Sequence, residues 1–220
     1  MTMPVADFQG LGRPHAWVEP DEARYWLTAK DFEKVIDGLL ATGRSFEVTF
    51  DDGNISDFTI ALPILRARGL TAGVFVCADR IDQPGYLGRA ELRQLIAEGF
   101  MIGTHGAAHV IWRGLADAAL DREISGAINT IADAAGCQVS AAAIPFGVYD
   151  RRVLRSLERA GIKRIYTSDG APRLSRHNIV PRHSLRNDRT LESQIAGLMG
   201  GNGLLRRTWQ DTRLLLKALR

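Results

Sequence analysis

Apolar and polar positions along the chain follow two alternating patterns. Short apolar runs predict strands, at residues 45–50, 70–78, 100–105, 138–144, 162–168 and 177–184. Segments with apolar residues three and four positions apart predict helices, at residues 28–43, 55–69, 89–99, 115–136, 149–161, 190–199 and 203–220. Alternation of strand and helix over six or seven units is typical of a parallel α/β fold. The number of units favours a barrel, complete or incomplete, over an open doubly wound sheet.

Polar residues with useful chemistry follow the ends of the predicted strands. In parallel barrels the functional groups lie on the loops after the carboxyl ends of the strands. Three of the five histidines fall at such positions, which suggests a shared cleft. The residues found there are Asp51, Asp52, His105, His109, Pro145, Phe146, Gly147, Asp169, Arg182 and His183.

Two histidines and a pair of aspartates predict a metal site within this cleft. His105 and His109 have the spacing of one helical turn, and with Asp52 they could provide a His2Asp set for a divalent cation. Such a cation lowers the pKa of a bound water to about 7. Asp51 points away from Asp52 in an extended backbone and could act as general base, while His183 could protonate a leaving group. These parts suit metal-assisted hydrolysis of an acyl or similar bond.

Composition narrows the class of protein only a little. The chain has 220 residues, of which 45% are hydrophobic and 24% charged, the balance of an ordinary globular protein. A net charge of +3, with interspersed charges, indicates no nucleic-acid interface. We find no pattern of a secretory signal or of a membrane-spanning helix, and we therefore expect a cytoplasmic location. The oligomeric state stays open.

Three short motifs give the chain a family resemblance. TFDDG at residues 49–53, HGAAH at 105–109 and IPFG at 144–147 resemble, in order, the first three motifs of the polysaccharide deacetylases. These are metal-dependent carbohydrate esterases of the chitooligosaccharide deacetylase type. Asp169 and His183 match the fourth and fifth motifs more weakly. The resemblance covers about residues 45–185.

The resemblance implies a distorted (β/α)7 barrel that removes acetyl groups from N-acetylated, sometimes O-acetylated, sugars. By position, Asp51 resembles the base of this family. Asp52, His105 and His109 resemble its ligands to Zn²⁺, although related enzymes accept Co²⁺, Ni²⁺ or Fe²⁺. The acetylated amino sugar would be the partner of the site.

The remaining motif residues are assigned by the same resemblance. The backbone N–H of Phe146, between Pro145 and Gly147, resembles the oxyanion donor. His183 resembles the acid that protonates the departing amine. Asp169 corresponds to the carboxylate of the fourth motif.

The chain departs from the family pattern at three points. Gly106 stands where a hydroxyl residue is usual, which questions the support of the neighbouring histidines. Ala143 stands where an arginine usually pairs with the base, and we predict that Arg182 takes over that pairing. The usual tryptophan near the fourth motif is missing, so the acetyl pocket must be built differently.

The domain organisation and the chain ends complete the expectations. We predict one catalytic domain over residues 1–220, with residues 1–27 as a cover that could also wall the cleft. The basic, amphipathic segment 203–220 is interpreted as a helix packed on the barrel, with weak contact to an anionic membrane as its alternative. Two other functions stay open: hydrolysis of another carbon–nitrogen amide bond, and carbohydrate binding without turnover.

Overall fold

The computed structural model describes residues 3–168 and 178–200. Within these residues the strands are β1 Val5–Phe8, β2 Gly10–Leu11, β3 Trp26–Leu27, β4 Glu47–Phe50, β5 Gly73–Val76, β6 Met101–Thr104, β7 Ala141–Ala143, β8 Arg164–Thr167, β9 Ile179–Pro181 and β10 His183–Ser184. The α-helices are α1 Pro20–Ala23, α2 Ala29–Ala41, α3 Leu62–Arg66, α4 Arg89–Ala97, α5 Asp117–Asp121, α6 Ala127–Ala135, α7 Arg151–Arg159 and α8 Leu191–Gly200. Asp169 and the predicted helix 203–220 lie outside the described residues.

One parallel sheet closes on itself through its last strand. Its strand order is β10-β1-β4-β5-β6-β7-β8-β9. Only Arg182 separates β9, which pairs with β8, from β10, which pairs with β1. Counted as one interrupted strand, β9 and β10 join both edges and give a seven-stranded barrel. The predicted fold class, a distorted (β/α)7 barrel with outer helices, is thereby confirmed.

The first strand was not predicted. β1 lies between β10 and β4, with Val5 opposite Glu47 and Ala6 opposite His183. The interpretation of residues 1–27 as a cover did not anticipate that its first residues belong to the barrel wall. The pattern of β1 is too short to stand out, because only four residues pair and Asp7 interrupts the apolar run.

Local sequence signals explain how the outer helices begin and bend. The hydroxyl of Thr28 accepts a hydrogen bond from the Asp31 N–H at 3.1 Å, which caps α2 as its sequence predicts. The helix predicted over residues 55–69 contains a π-helical turn, Asp57–Ala61, directly before α3. Pro63 has no N–H to donate and its ring crowds the preceding turn, so the regular α-helical bonding is interrupted there.

The barrel interior is filled by two aromatic side chains set against small residues. Phe75 and Tyr166 pack with ring centroids 4.8 Å apart, in a cluster with Val5, Ala141 and Ala143. A Cβ on Gly103 would lie 2.5 Å from the Phe75 ring, so a larger residue there would displace the filling. The filled interior leaves the carboxyl ends of the strands as the place for a cleft.

Helix length and apolarity bear on membrane crossing. Among residues 3–168 and 178–200, no helix is both long and apolar enough to span a bilayer.

Candidate active site

The loop after β4 carries two buried carboxylates in a strained turn. Asp52 has φ 76° and Gly53 has φ 72°, so two successive residues adopt the left-handed region. For a residue other than glycine this conformation costs about 1–3 kcal/mol and is found mostly where a function requires it. The turn sends Asp51 and Asp52 towards different partners on one rim of the barrel.

Asp52, His105 and His109 converge as the sequence predicts. One ligand atom from each of these residues lies within 4.8 Å of the other two. The Asp52 Oδ1 atom is 3.5 Å from His109 Nε2 and 3.9 Å from His105 Nε2. Two imidazole nitrogens and one carboxylate oxygen are a donor set for a divalent first-row cation such as Zn²⁺. The three residues therefore fit the group that the motifs imply.

Neighbouring atoms orient two of these three ligands. His105 Nδ1 donates to the Ala143 carbonyl at 2.9 Å, which leaves its Nε2 lone pair free to bind a cation. Gln9 Nε2 donates to Asp52 Oδ2 at 3.0 Å, so Oδ1 is the oxygen that faces the histidines.

Burial and local charge keep the ligands in their binding forms. Burial lowers the pKa of His109 to about 4, so its imidazole is uncharged at neutral pH. For Asp52, burial alone would raise the pKa, but the two histidines, Arg80 and the Gln9 hydrogen bond bring it below its usual value. A neutral imidazole and an ionised carboxylate are the forms that bind metal.

Arg182 reaches Asp51 from the point where the last strand is interrupted. Its Nη1 and Nη2 atoms donate to Asp51 Oδ1 and Oδ2, both at 2.7 Å, in a bidentate pair. The side chain of Arg182 is fully buried, and its guanidinium lies 5.3 Å from the Phe75 ring centroid. The chain thus places an arginine on Asp51 although Ala143 occupies the usual motif position.

A second carboxylate, Asp7 from β1, shares the same arginine. Arg182 Nη1 donates to Asp7 Oδ1 at 2.7 Å, and the hydroxyls of Thr49 and Ser184 donate to Asp7 at 2.8 and 2.9 Å. Burial raises the pKa of Asp7 to about 7; Arg182 opposes this effect and repulsion by Asp51 adds to it. One buried cation therefore holds two carboxylates, Asp7 from β1 and Asp51 from the loop after β4.

Glu123 supports the loop of the second motif. Its buried carboxylate accepts from the Ala107 N–H at 2.9 Å and from the Ala108 N–H at 3.2 Å. Gly106 has φ 86°, and its N–H donates to the Thr104 hydroxyl at 3.1 Å. A carboxylate from the π-helical turn Arg122–Gly126 thus holds this loop, where the family pattern has a hydroxyl residue at position 106.

The third motif forms a short 3₁₀ turn, Pro145–Gly147, beside His109. Phe146 has φ 57°, and its ring packs on the His109 ring with centroids 4.6 Å apart. More than half of this residue, 54%, is exposed. The motif therefore offers an exposed aromatic wall and a backbone donor near the histidines.

The structure does not bring His183 into this cluster. Val180 packs on the interior cluster and both Arg182 and Ser184 contact Asp7, so these alternate residues face the barrel interior. His183 lies between Arg182 and Ser184, and successive side chains of a strand point to opposite faces. Its neighbours on the outward face, Ile179 and Leu185, belong to the core between sheet and helices. Geometry therefore gives no support to His183 as the acid.

Four residues of the site were missed in the sequence. Gln9 and Arg80 contact the carboxylate of Asp52, and Asp7 shares Arg182 with Asp51. Glu123 holds the loop of the second motif. For Asp7 and Gln9 a signal exists, because VADFQ is an apolar run that ends in a polar residue, like the TFDD of the first motif. Nothing in the sequence distinguishes Glu123 from the other acidic residues of its helix.

Comparison with known proteins agrees with the fold and the motifs. The polysaccharide deacetylase family profile matches residues 41–165. The putative polysaccharide deacetylase YxkH of Bacillus subtilis (strain 168) is 23% identical over 122 residues, which are 56% of this chain and 44% of YxkH. The chain thus matches less than half the length of that relative.

Solved structures share the architecture. BC0361, a polysaccharide deacetylase from Bacillus cereus, superposes with a TM-score of 0.75 at 19% identity, over 88% of this chain and 68% of that one. The Streptococcus pyogenes deacetylase PplD, solved in complex with acetate, gives a TM-score of 0.75 at 14% identity, over 89% and 97%. The chain belongs to the polysaccharide deacetylase family, because the family profile covers more than half of its length.

Proposed function

We propose that this protein is a metal-dependent hydrolase that removes acetyl groups from N-acetylated sugars of a polysaccharide, oligosaccharide or glycoconjugate. The observation that carries the proposal is the meeting of Asp52, His105 and His109 beside Asp51, which Arg182 holds by two hydrogen bonds. Family membership supports the reaction class. The N-acetylated amino sugar follows from the motifs rather than from a bound ligand.

Asp52, His105 and His109 would hold the cation, with Zn²⁺ the expected ion and Co²⁺, Ni²⁺ or Fe²⁺ the alternatives. When bound, it would polarise the acetyl carbonyl and bring the pKa of a coordinated water to about 7.

Asp51 is the group that moves the proton. Its Oδ2 atom lies 3.8 Å from His105 Nε2, so its carboxylate stands beside the ligand atoms, while both of its oxygens are bound by Arg182. In that position it can accept the proton of the attacking water as general base. Because His183 faces away from the cleft, we also assign to Asp51 the return of that proton to the amine as the bond to acetate breaks.

Backbone and aromatic groups of the third motif complete the site. The Phe146 N–H can donate to the acetyl oxygen as negative charge develops there. The Phe146 ring, packed on His109, walls the cleft and limits access of water. Arg182 keeps the carboxylate of Asp51 in one orientation, because a bidentate pair fixes both oxygens.

The test joins metal analysis to product release. Protein purified without chelator is expected to contain about one divalent cation per chain and to release acetate from N-acetylchitooligosaccharides, and chelation should abolish release. Asp51→Asn should retain the cation and lose about 10²–10⁴-fold in kcat. His105→Ala should lose both the bound cation and acetate release. Full turnover of Asp51→Asn would refute the assigned base, and sugar binding without acetate release would favour a carbohydrate-binding protein.

A further inference from the structure

An aromatic group lies next to the first-motif loop and has no part in the chemistry proposed above. We name His15, Trp17 and Tyr86 the stacking platform. The rings of His15 and Trp17 are nearly parallel, with centroids 4.8 Å apart at 12°, and the Tyr86 ring lies 6.3 Å from His15. Trp26 supports His15 from the buried side by an edge contact at 5.2 Å. The platform therefore joins the N-terminal segment to the loop after β5.

Backbone hydrogen bonds attach the platform to the loop that carries Asp52. Tyr86 forms an antiparallel bridge with Asn54. On either side of it, the Leu87 N–H donates to the Gly53 carbonyl and the Ile55 N–H donates to the Gly85 carbonyl, both at 2.9 Å. A shift of the platform would therefore move the first motif, and a shift of the first motif would move the platform.

Arg80 spans the gap between the platform and the candidate metal ligands. Its guanidinium lies 5.0 Å from the Tyr86 ring centroid, and its Nη1 atom is 3.0 Å from Asp52 Oδ1. The side chain is 26% exposed, so it reaches solvent from within the cleft. The platform thus begins one guanidinium group away from Asp52.

The open face of the platform belongs to Trp17. This residue is 55% exposed, and because one face of its indole stacks on His15, the exposed area lies on the other face and the edges. A Cβ at Gly85 would approach the His15 ring to 2.9 Å and the Trp17 ring to 3.0 Å. The loop is therefore shaped to let the two rings stack, although so exposed a tryptophan adds little to the core.

The local charge indicates what could lie on this face. The cation of Arg80 is offset by Asp52, and Glu22 carries a carboxyl group whose pKa is raised by burial and by repulsion from Asp52. These three groups together therefore add no positive charge that would select an anion. A flat indole face suits the apolar C–H face of an uncharged sugar ring, and Arg80 can donate to a ring hydroxyl.

We propose that the stacking platform binds a second pyranose ring of the same acetylated chain, beyond the ring whose acetyl group is removed. Trp17 would stack on this ring, His15 would back the indole, and Arg80 would hold a hydroxyl between the two rings. The proposal rests on the proposed function, since it names where the rest of that substrate lies.

The test compares a long and a short substrate in variants of one residue. Trp17→Ala should lower kcat/KM for the pentamer of N-acetylglucosamine about tenfold, mainly through KM, which corresponds to ~1.4 kcal/mol. The same variant should leave acetate release from single-ring N-acetylglucosamine unchanged.

Trp17→Phe should retain most of the pentamer activity, because a flat ring remains. Leu40→Ala, which truncates another exposed apolar side chain on α2, is the matched control and should leave kcat/KM unchanged for both substrates.

Binding to protein that carries Asp51→Asn separates this proposal from the proposed function. Calorimetric titration with the pentamer should give a Kd about tenfold weaker when Trp17→Ala is added. Equal pentamer binding and equal kcat/KM with and without the indole would overturn the platform, even if acetate is released. If the wild-type protein releases no acetate, the proposed function fails, and the titration alone decides: a Kd that depends on Trp17 supports the platform, and equal or absent binding refutes it.

Discussion

Arg182 and Asp51 are joined by two hydrogen bonds of 2.7 Å although 131 residues separate them. The arginine comes from the strand that closes the barrel, not from β7, where Ala143 stands. The same guanidinium binds Asp7 at 2.7 Å. Because all three groups are buried, each one depends on the other two for its solvation.

Removal of this arginine is expected to harm both stability and rate. Arg182→Ala leaves two buried carboxylates without their cation, so the free energy of unfolding should fall by about 3–5 kcal/mol. The released Asp51 side chain should lower kcat about 100-fold. Arg182→Lys restores the charge but not the bidentate geometry, and should recover more stability than rate. Urea denaturation and acetate release measure the two effects.

An exposed arginine provides the control for this experiment. Arg89 pairs with Asp133 at 2.7 Å on the protein surface, and both side chains are largely exposed. Arg89→Ala should hardly change the midpoint of urea denaturation and should leave kcat unchanged, because exposed ion pairs contribute little to stability. Wild-type turnover by Arg182→Ala would show that Asp51 needs no arginine.

The raised pKa of Asp7 predicts how stability depends on pH. In the unfolded chain this carboxyl has its ordinary pKa of 3.8, and in the folded protein the pKa is about 7. Between these values the folded state keeps a proton that the unfolded state has released, so the free energy of unfolding falls as pH rises through this window. Asp7→Asn cannot titrate and should flatten this part of the curve. Urea denaturation of both proteins from about pH 5 to about pH 8 tests the sign, and parallel curves would contradict it.

Restoring the usual hydroxyl residue in the second motif should damage this protein. A Cβ on Gly106 would lie 2.7 Å from Glu123 Oε2 and 3.1 Å from Trp112 Nε1, at a φ of 86°. Gly106→Ser should therefore destabilise the fold by about 1–3 kcal/mol and weaken metal binding about tenfold. Gly114 is the matched control, since its φ is 84° and nothing lies within 4 Å of its Cβ position. Gly114→Ser tests the backbone cost alone. Equal losses of stability and metal affinity in both variants would show that the contact with Glu123 is not the cause.

Replacement of His183 should have little effect on turnover. Its side chain faces the outer layer of the barrel, and burial lowers its pKa, so the ring is mostly uncharged at neutral pH. His183→Gln should keep kcat within about threefold of the wild-type value, in contrast to Asp51→Asn. Acetate release under identical metal loading compares the two. A loss of about 100-fold would return His183 to the role of leaving-group acid.

The sequence was informative where one short segment determines its own geometry. The cap of α2 depends on Thr28 and Asp31, three residues apart, and it forms as predicted. The motifs TFDDG and HGAAH each lie on one strand end, and the parallel sheet brings their ends together. The role of Arg182 could also be inferred, because Ala143 stands where the family pattern has an arginine and the last predicted strand contains another one.

What the sequence could not provide depends on contacts between distant segments. Val5–Phe8 is a four-residue strand with a carboxylate inside it, and only its pairing with β4 and β10 makes it a strand. Asp7 becomes part of the site through a partner 175 residues away. Glu123 likewise supports the site only through its hydrogen bonds to the loop at residues 106–108, which is distant from it in sequence. His183 faces outward because Arg182 and Ser184, on either side of it, face the barrel interior. A motif match does not tell which face of the strand a residue occupies.

The closing strand also limits what a smaller version of this protein could do. The family profile covers residues 41–165, and neither Asp7 nor Arg182 falls inside that range. A fragment trimmed to those boundaries would retain Asp51, Asp52, His105 and His109, but it would lack Arg182, which binds both oxygens of Asp51. The strand that closes the barrel therefore also supplies the contact that orients Asp51, so closure of the sheet and the geometry of the site depend on the same residue.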